Sequence, residues 1–237
     1  MGLPQIIINF RTAGSSAVRR SARGQAVLLA EGEKAELYSF SEAEQAESAG
    51  LAEDCRRLLR LCFLGGPAKV LLYRYPKGEE AAALARCAPA AEGGWLCAPQ
   101  MDAQTVTAFV KSKRAEGRPL RAVVSSETGP DCAGIVNLTT QGITVLLEGK
   151  TESVDTADYC ARIAGILAGL SLRESATYYP LPEVTGFVRS QDEEADIAAG
   201  RLIIDQGSEG ARIARAVTSL TTLSQTGDSA FQKIKIA

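Results

Sequence analysis

The sequence predicts an α/β fold, a helix-covered and mostly parallel sheet, preceded by an isolated N-terminal strand-like run. Three observations predict it. From residue 51 onward, short apolar runs alternate with stretches patterned at helical spacing, as expected of a sheet buried on both faces. Upstream, the β-branched run Gln5-Ile6-Ile7-Ile8-Asn9-Phe10 is cut off from the next apolar run by a polar, small-residue segment. With 237 residues and 46% hydrophobic content, the chain can bury a sizeable core.

The elements follow in order. Ile6 to Phe10 reads as a strand without a local partner, and its backbone groups must pair somewhere. Two placements are open: an edge of this chain's own sheet, or the sheet of another molecule. Arg11-Thr12-Ala13-Gly14-Ser15-Ser16 suits neither helix nor strand. Ala26 to Leu29 and Ala35 to Phe40 read as strands. Leu51, Cys55, Leu58, Leu59 and Cys62 share one face of a helix over 51–64, which Gly65-Gly66-Pro67 ends. Strands over 69–75, 95–99, 120–124 and 134–138 alternate with helices over 79–88 and 102–116, the latter capped by Asp102 and ended by Gly117. A further strand is expected over 142–147.

Asp155 opens a helix to about Leu170 in which Ala161, Gly165 and Gly169 recur every fourth residue. Such a stripe has almost no side chain, so another backbone can approach closely. The lost helix propensity, roughly 1 kcal/mol per glycine, must be recovered by that packing. Arg162 and the flanking charges favour a packing helix over a membrane helix. Tyr178-Tyr179-Pro180-Leu181-Pro182 breaks the chain. A short acidic helix over 192–199 and paired strands at 202–204 and 211–214 follow. Phe231 to Ala237 alternates apolar and polar residues and reads as the beginning of an element.

The chemistry is constrained mainly by what is missing. The chain has no histidine, so no Ser-His-Asp or Cys-His relay can be built, and the commonest transition-metal ligand is gone. Cys55, Cys62, Cys87, Cys97, Cys132 and Cys160 form no close pair of the kind zinc sites use, and they read as buried small hydrophobes. No metal or cofactor is expected. Net charge is -2 with 23% charged residues. The short basic clusters Arg19-Arg20 and Lys113-Arg114 read as solvated faces or arm contacts, so direct nucleic-acid binding is not expected. No stretch approaches the ~20 apolar residues of a membrane span, so no membrane insertion is expected. Gly65-Gly66-Pro67 follows a helix and precedes a strand, the reverse of a phosphate loop. Ser125 to Asp131 follows a strand, where α/β folds place ligands, yet it lacks a glycine cradle, a lysine and a base. It supports one alternative, a small-molecule-binding or enzymatic domain using residues 125–131.

Six motifs in order carry a resemblance. They are Gly2 to Phe10 followed by Arg20-Ser21-Ala22-Arg23-Gly24, then Cys132 to Thr140, Tyr159 to Gly169, Ser175 to Tyr178, Val217 to Thr222, and Phe231 to Ile236. Together they resemble the contractile tail sheath proteins of Firmicute myophages and defective prophages. The resemblance implies a subtilisin-like sheath domain without a protease triad, and a non-enzymatic function. It implies stacked rings of six copies around a tail tube, which contract to drive the tube through a bacterial envelope. The partners it implies are other copies of the chain, the tail tube protein, and baseplate and tail terminator proteins. The location it implies is the virion tail, assembled in the host cytoplasm. It assigns Ile6, Ile7, Ile8, Asn9 and Phe10 as the strand donated to a neighbouring subunit.

The organisation expected from this reading is an arm over 1–23, a sheath core over 24–225, and the start of a truncated C-terminal domain over 226–237, because family members usually continue well beyond a position like Ala237. Thr218 stands where the family usually has asparagine.

Overall fold

The computed structural model describes residues 24–171 and 173–222. The expected strand at 6–10 and the C-terminal stretch 226–237 lie outside the described residues.

The centre is a seven-stranded sheet. Its strands are β1 (Gln25–Glu31), β2 (Glu36–Phe40), β3 (Lys69–Tyr75), β4 (Trp95–Cys97), β5 (Ala122–Val124), β6 (Ile135–Leu138) and β10 (Arg201–Leu202), in the order β10-β6-β5-β4-β1-β3-β2. Neighbours are parallel except β2, which runs antiparallel to β3. β1 is central because both of its faces are apolar. Ala26, Leu28 and Ala30 join one core cluster, while Val27 and Leu29 join the other. A strand of this composition must be covered twice. β2 alternates half-buried and exposed positions ahead of the buried Phe40, with Leu37 56% exposed, and accordingly lies at an edge.

Helices cover both faces. α2 (Glu53–Phe63) and α5 (Thr156–Gly169) pack on the Leu28 face, and α3 (Glu80–Ala91) and α4 (Ala103–Ala115) on the Leu29 face. The face of α2 read from the sequence is the buried one: Cys55, Leu58, Leu59 and Cys62 all point inward. α3 runs past the expected stop at Ala88 to Ala91, with Pro89 in its last turn and Glu92 N–H still reaching the Ala88 carbonyl at 3.2 Å. Proline there has no N–H to give the Ala85 carbonyl, so the helix carries the cost of one missing bond near its end.

The structure departs from the sequence reading beyond β6. Ile143–Leu147 (β7) is not part of the parallel sheet. It pairs antiparallel with β8 (Lys150–Val154) and β9 (Val184–Gly186) in a separate three-stranded sheet. The cause is a two-residue turn, Glu148 at φ 50 and Gly149 at φ 77, whose left-handed geometry suits the twist of an antiparallel hairpin. The expected pair 202–204 and 211–214 is also redistributed. Arg201–Leu202 extends the parallel sheet beside β6, and the hairpin forms one step later between β11 (Ile204–Gly207) and β12 (Gly210–Ile213). Two short helices complete the fold, α1 (Ala43–Ser48) and α6 (Glu193–Ala198).

Leu28 and Leu37 give a paired test of this layering. Leu28→Ala should lower unfolding free energy by about 2–5 kcal/mol, and Leu37→Ala by less than about 0.5 kcal/mol, both read from urea denaturation midpoints. Equal effects would contradict the assignment of β1 to the centre and β2 to the edge.

Candidate assembly site

α5 is the most enclosed helix, with Thr156 and every residue from Tyr159 to Ala168 buried. The three residues of the small-residue stripe lie along it, and Ala161 is fully buried. A methyl group built on Gly165 would fall on the Cys62 carbonyl at the end of α2, and one built on Gly169 would fall on the Gly65 carbonyl. Conversely, one built on Gly65 would fall on the backbone of Gly165 and Ile166. Three glycines therefore let two backbones meet where any side chain would force them apart.

The same region holds the start of the sheet. The Gly24 N–H donates to the Ala168 carbonyl at 2.6 Å, and the Ala68 N–H donates to the Gly24 carbonyl at 3.0 Å. Residue 24, from which the chain before β1 departs, is thus tied to both α5 and β3's leading turn.

A buried ion pair joins α5 to the small sheet. Arg162, 2% exposed, donates from Nε to Glu183 Oε1 at 2.6 Å and from Nη2 to Oε2 at 3.3 Å. The Tyr159 hydroxyl donates to the same Oε1 at 2.7 Å. Burial works to raise the Glu183 pKa, but Arg162 and Tyr159 outweigh it and hold the carboxyl below the usual range. Such a pair adds little net stability over an apolar replacement, yet removal of one partner strands a buried charge. On the outer side of α5, Arg57 of α2 donates to Asp158 at 2.6 Å.

The other junction is at the last described residues. Asp131, at φ 44, accepts hydrogen bonds from the backbone N–H groups of Thr221 at 2.7 Å and Thr222 at 2.9 Å, and from both threonine hydroxyls. The bonds from Thr222 and then Thr221 hold the Asp131 carboxyl far below the usual range. Ser219 adds a second clasp: its hydroxyl exchanges hydrogen bonds with the Cys132 backbone, and its N–H donates to the Ile135 carbonyl at 2.8 Å. The segment 218–222 is a strap laid across the start of β6. In the sequence Asp131 reads only as part of a turn, because its partners lie 90 and 91 positions away.

The rival site at 125–131 is a shallow groove of about 280 Å³ between this loop and α4, with Gln104, Thr107 and Lys111 on the helix side. The Ser126 hydroxyl is engaged within the loop, whereas the buried Thr107 hydroxyl on the helix side has no hydrogen-bond partner. Ser126 donates to the Thr128 carbonyl at 2.9 Å, and the Ser126 backbone exchanges two bonds with the buried Asn137 amide. All six cysteines are free and buried. Burial pushes Cys62 up to about 12 and Cys87 up to about 11, which disfavours the thiolate that reactive chemistry needs. Among the described residues no group of three or more Cys, Asp or Glu could hold a metal ion, and no helix is long and apolar enough to cross a membrane.

These features define a class: an α/β body built around close helix packing, with each departing end of the chain tied down by hydrogen bonds. Comparisons with known proteins say what this body is similar to. The chain is 27% identical, over 99% of its length and 68% of the relative's, to a tail sheath protein of the Clostridium phage phiCD119. Its fold is similar to that of a sheath tail protein from Listeria innocua, with a TM-score of 0.75 and 16% identity over 95% of this chain and 76% of that one. It is also similar to the helical sheath of an anti-feeding prophage in its contracted state, with a TM-score of 0.63 and 15% identity over 90% of this chain and 68% of that one. No family model matches. The likeness is to tail sheath proteins, and the resemblance read from the six motifs agrees with it.

Two outcomes are expected here. Gly165→Ala gains helix propensity of about 1 kcal/mol but must separate α2 from α5, so a net loss of at least about 2 kcal/mol is expected in chemical denaturation; a gain would contradict the close contact. Asp131→Asn should leave the body folded while making the chain near residues 218–222 the first site of limited proteolysis. The sign with pH follows from the depressed pKa. The clasp's contribution is present above the carboxyl's unfolded pKa and is lost as pH falls through its lower folded value. Strap protection that is flat from pH 7 down to full protonation of the carboxyl would contradict it.

Proposed function

We propose that this chain is a structural subunit of a contractile tail sheath. The observation that carries the proposal is the similarity to a phage tail sheath protein over 99% of this chain and 68% of the relative, joined by a fold similar to that of sheath proteins. The subunits assemble as stacked six-membered rings around a tail tube, with baseplate and tail terminator proteins at the two ends, in a virion or prophage tail put together in the host cytoplasm. The α/β body is the subtilisin-like sheath domain without a protease triad, a reading supported by the absence of histidine from the chain.

In this reading residues 1–23 form an arm, 24–225 the body, and 226–237 the beginning of a further domain. Ile6, Ile7, Ile8, Asn9 and Phe10 complete a neighbour's sheet, where backbone hydrogen bonds supply affinity and alternate side chains supply register. Ala161, Gly165 and Gly169 keep the body rigid by close helix packing. The junctions at Gly24 and Asp131 transmit pull on either end of the chain into the body. Contraction is a shift from a metastable extended lattice to one with better contacts, each subunit contributing a small free-energy difference that is summed over many copies.

Electron microscopy of the full-length protein should show sheath-like tubes. A persistent monomer that binds small molecules saturably at the 125–131 groove would favour the rival reading. Deletion of residues 1–12 should abolish tubes while the thermal unfolding transition of the body remains; normal tubes after that deletion would refute the arm assignment.

A further inference from the structure

The strap 218–222 occupies a slot that the sheet leaves beside β6. On one side of β6, β5 pairs with Ile135, Val136 and Asn137. On the other side β10 meets it only at Asn137 and Leu138. The Ile135 carbonyl, ahead of that pairing, is taken instead by the Ser219 N–H at 2.8 Å. Gly200, at φ 72 just before β10, makes the room: a methyl group built on it would fall 2.9 Å from the Ser219 backbone. Ser219 is fully buried and Thr218 is 4% exposed, so the strap has a shaped seat and is not a loose end.

Three features make that seat releasable. The Thr218 hydroxyl is buried without a hydrogen-bond partner. That orphan costs stability while the strap is seated and nothing once water reaches it. The outer clasp rests on one side chain, Asp131, and its partners Thr221 and Thr222 are exposed. The strap's hydrogen bonds go to Asp131, Cys132 and Ile135, so lifting it breaks no pairing between strands and β6 keeps both β5 and β10. The two clasps are also coupled. The Ser219 hydroxyl bonds both the N–H and the carbonyl of Cys132, and Cys132 directly follows Asp131, which is held at φ 44. Loss of one clasp loosens the turn that carries the other.

We infer that residues 218–222 are a releasable latch, which lifts from β6 as one unit and lets out up to about 17 Å of chain while the body stays folded. Resting on the sheath reading above, the latch gives slack to the chain beyond residue 222, so that it stays joined to a neighbour while two bodies shift.

Native-state hydrogen exchange of the full chain, resolved by NMR, tests the latch. The amides of Cys132, Ser219, Thr221 and Thr222 should share one protection factor, well below that of Tyr159 to Ala168 in α5. Asp131→Asn keeps a residue that tolerates the left-handed backbone but removes the charge. It should lower all four protection factors together, at least about tenfold. Thr218→Val removes the orphaned hydroxyl at nearly constant shape and should raise all four together, about three- to tenfold. Protection that climbs stepwise from Thr222 to Ser219 would mean a fraying end and would overturn the inference. So would four values equal to those of α5, or an Asp131→Asn effect confined to Thr221 and Thr222. The measurement needs no tubes, so any of these results leaves the sheath reading in place. The expected exchange in a chain that never forms tubes would overturn only the role given to the slack.

Discussion

The meeting of α2 and α5 at Cys62, Gly65, Gly165 and Gly169 is the constraint on which the rest of the architecture depends. Backbone against backbone leaves no slack for sliding, so the position of α5 is fixed more tightly than side-chain packing alone would fix it. β1 starts from this contact through Gly24 and Ala168. The three-stranded sheet is attached to it through Arg162, Tyr159 and Glu183, and α2 is tied to its outer side through Arg57 and Asp158. One helix thus sets the sheet, the satellite sheet and the place where the N-terminal chain departs. Polar groups do this work inside the body because their geometry is directional, whereas apolar packing tolerates small shifts.

A body of this kind suits mechanical work. In the sheath reading, a subunit that rearranges against its neighbours must carry force without deforming, and its moving parts must lie between bodies. The described residues fit that division. Both faces of the central sheet are covered, and the first and last described segments are hydrogen-bonded to the body, Gly24 by two backbone bonds and 219–222 by bonds to Asp131, Cys132 and Ile135. Its six thiols are buried, and the Ser126 hydroxyl after β5 bonds to the Thr128 carbonyl.

Much of this was legible in the sequence because it is local. The two-faced apolar run of β1, the helical face of α2 and the four-residue spacing of Ala161, Gly165 and Gly169 are each written within a few turns of chain. What was not legible depends on distant partners. Arg162 read as a charge that argues for an aqueous setting, and the structure buries it against Glu183, 21 positions away. Asp131 read as a turn residue because its threonine partners lie at the far end of the chain. β8 is rich in polar residues and β9 is only three residues long, so neither carries enough alternation to be seen. Their pairing with β7 follows from the turn at Glu148-Gly149, a signal weaker than Asn-Gly. Tyr178 read as part of a chain break, since nothing in its neighbours announces its left-handed backbone at φ 61.

Native-state hydrogen exchange tests the central claim most directly. If the α2–α5 contact fixes the body, the amides of Tyr159 to Ala168 exchange only through global unfolding, with a free energy equal to that from denaturant titration. The amides of Thr221 and Thr222 then exchange by a smaller, local opening. Exchange of the α5 amides through a sub-global opening, at a free energy well below the global value while β1 and β3 stay protected, would contradict the account.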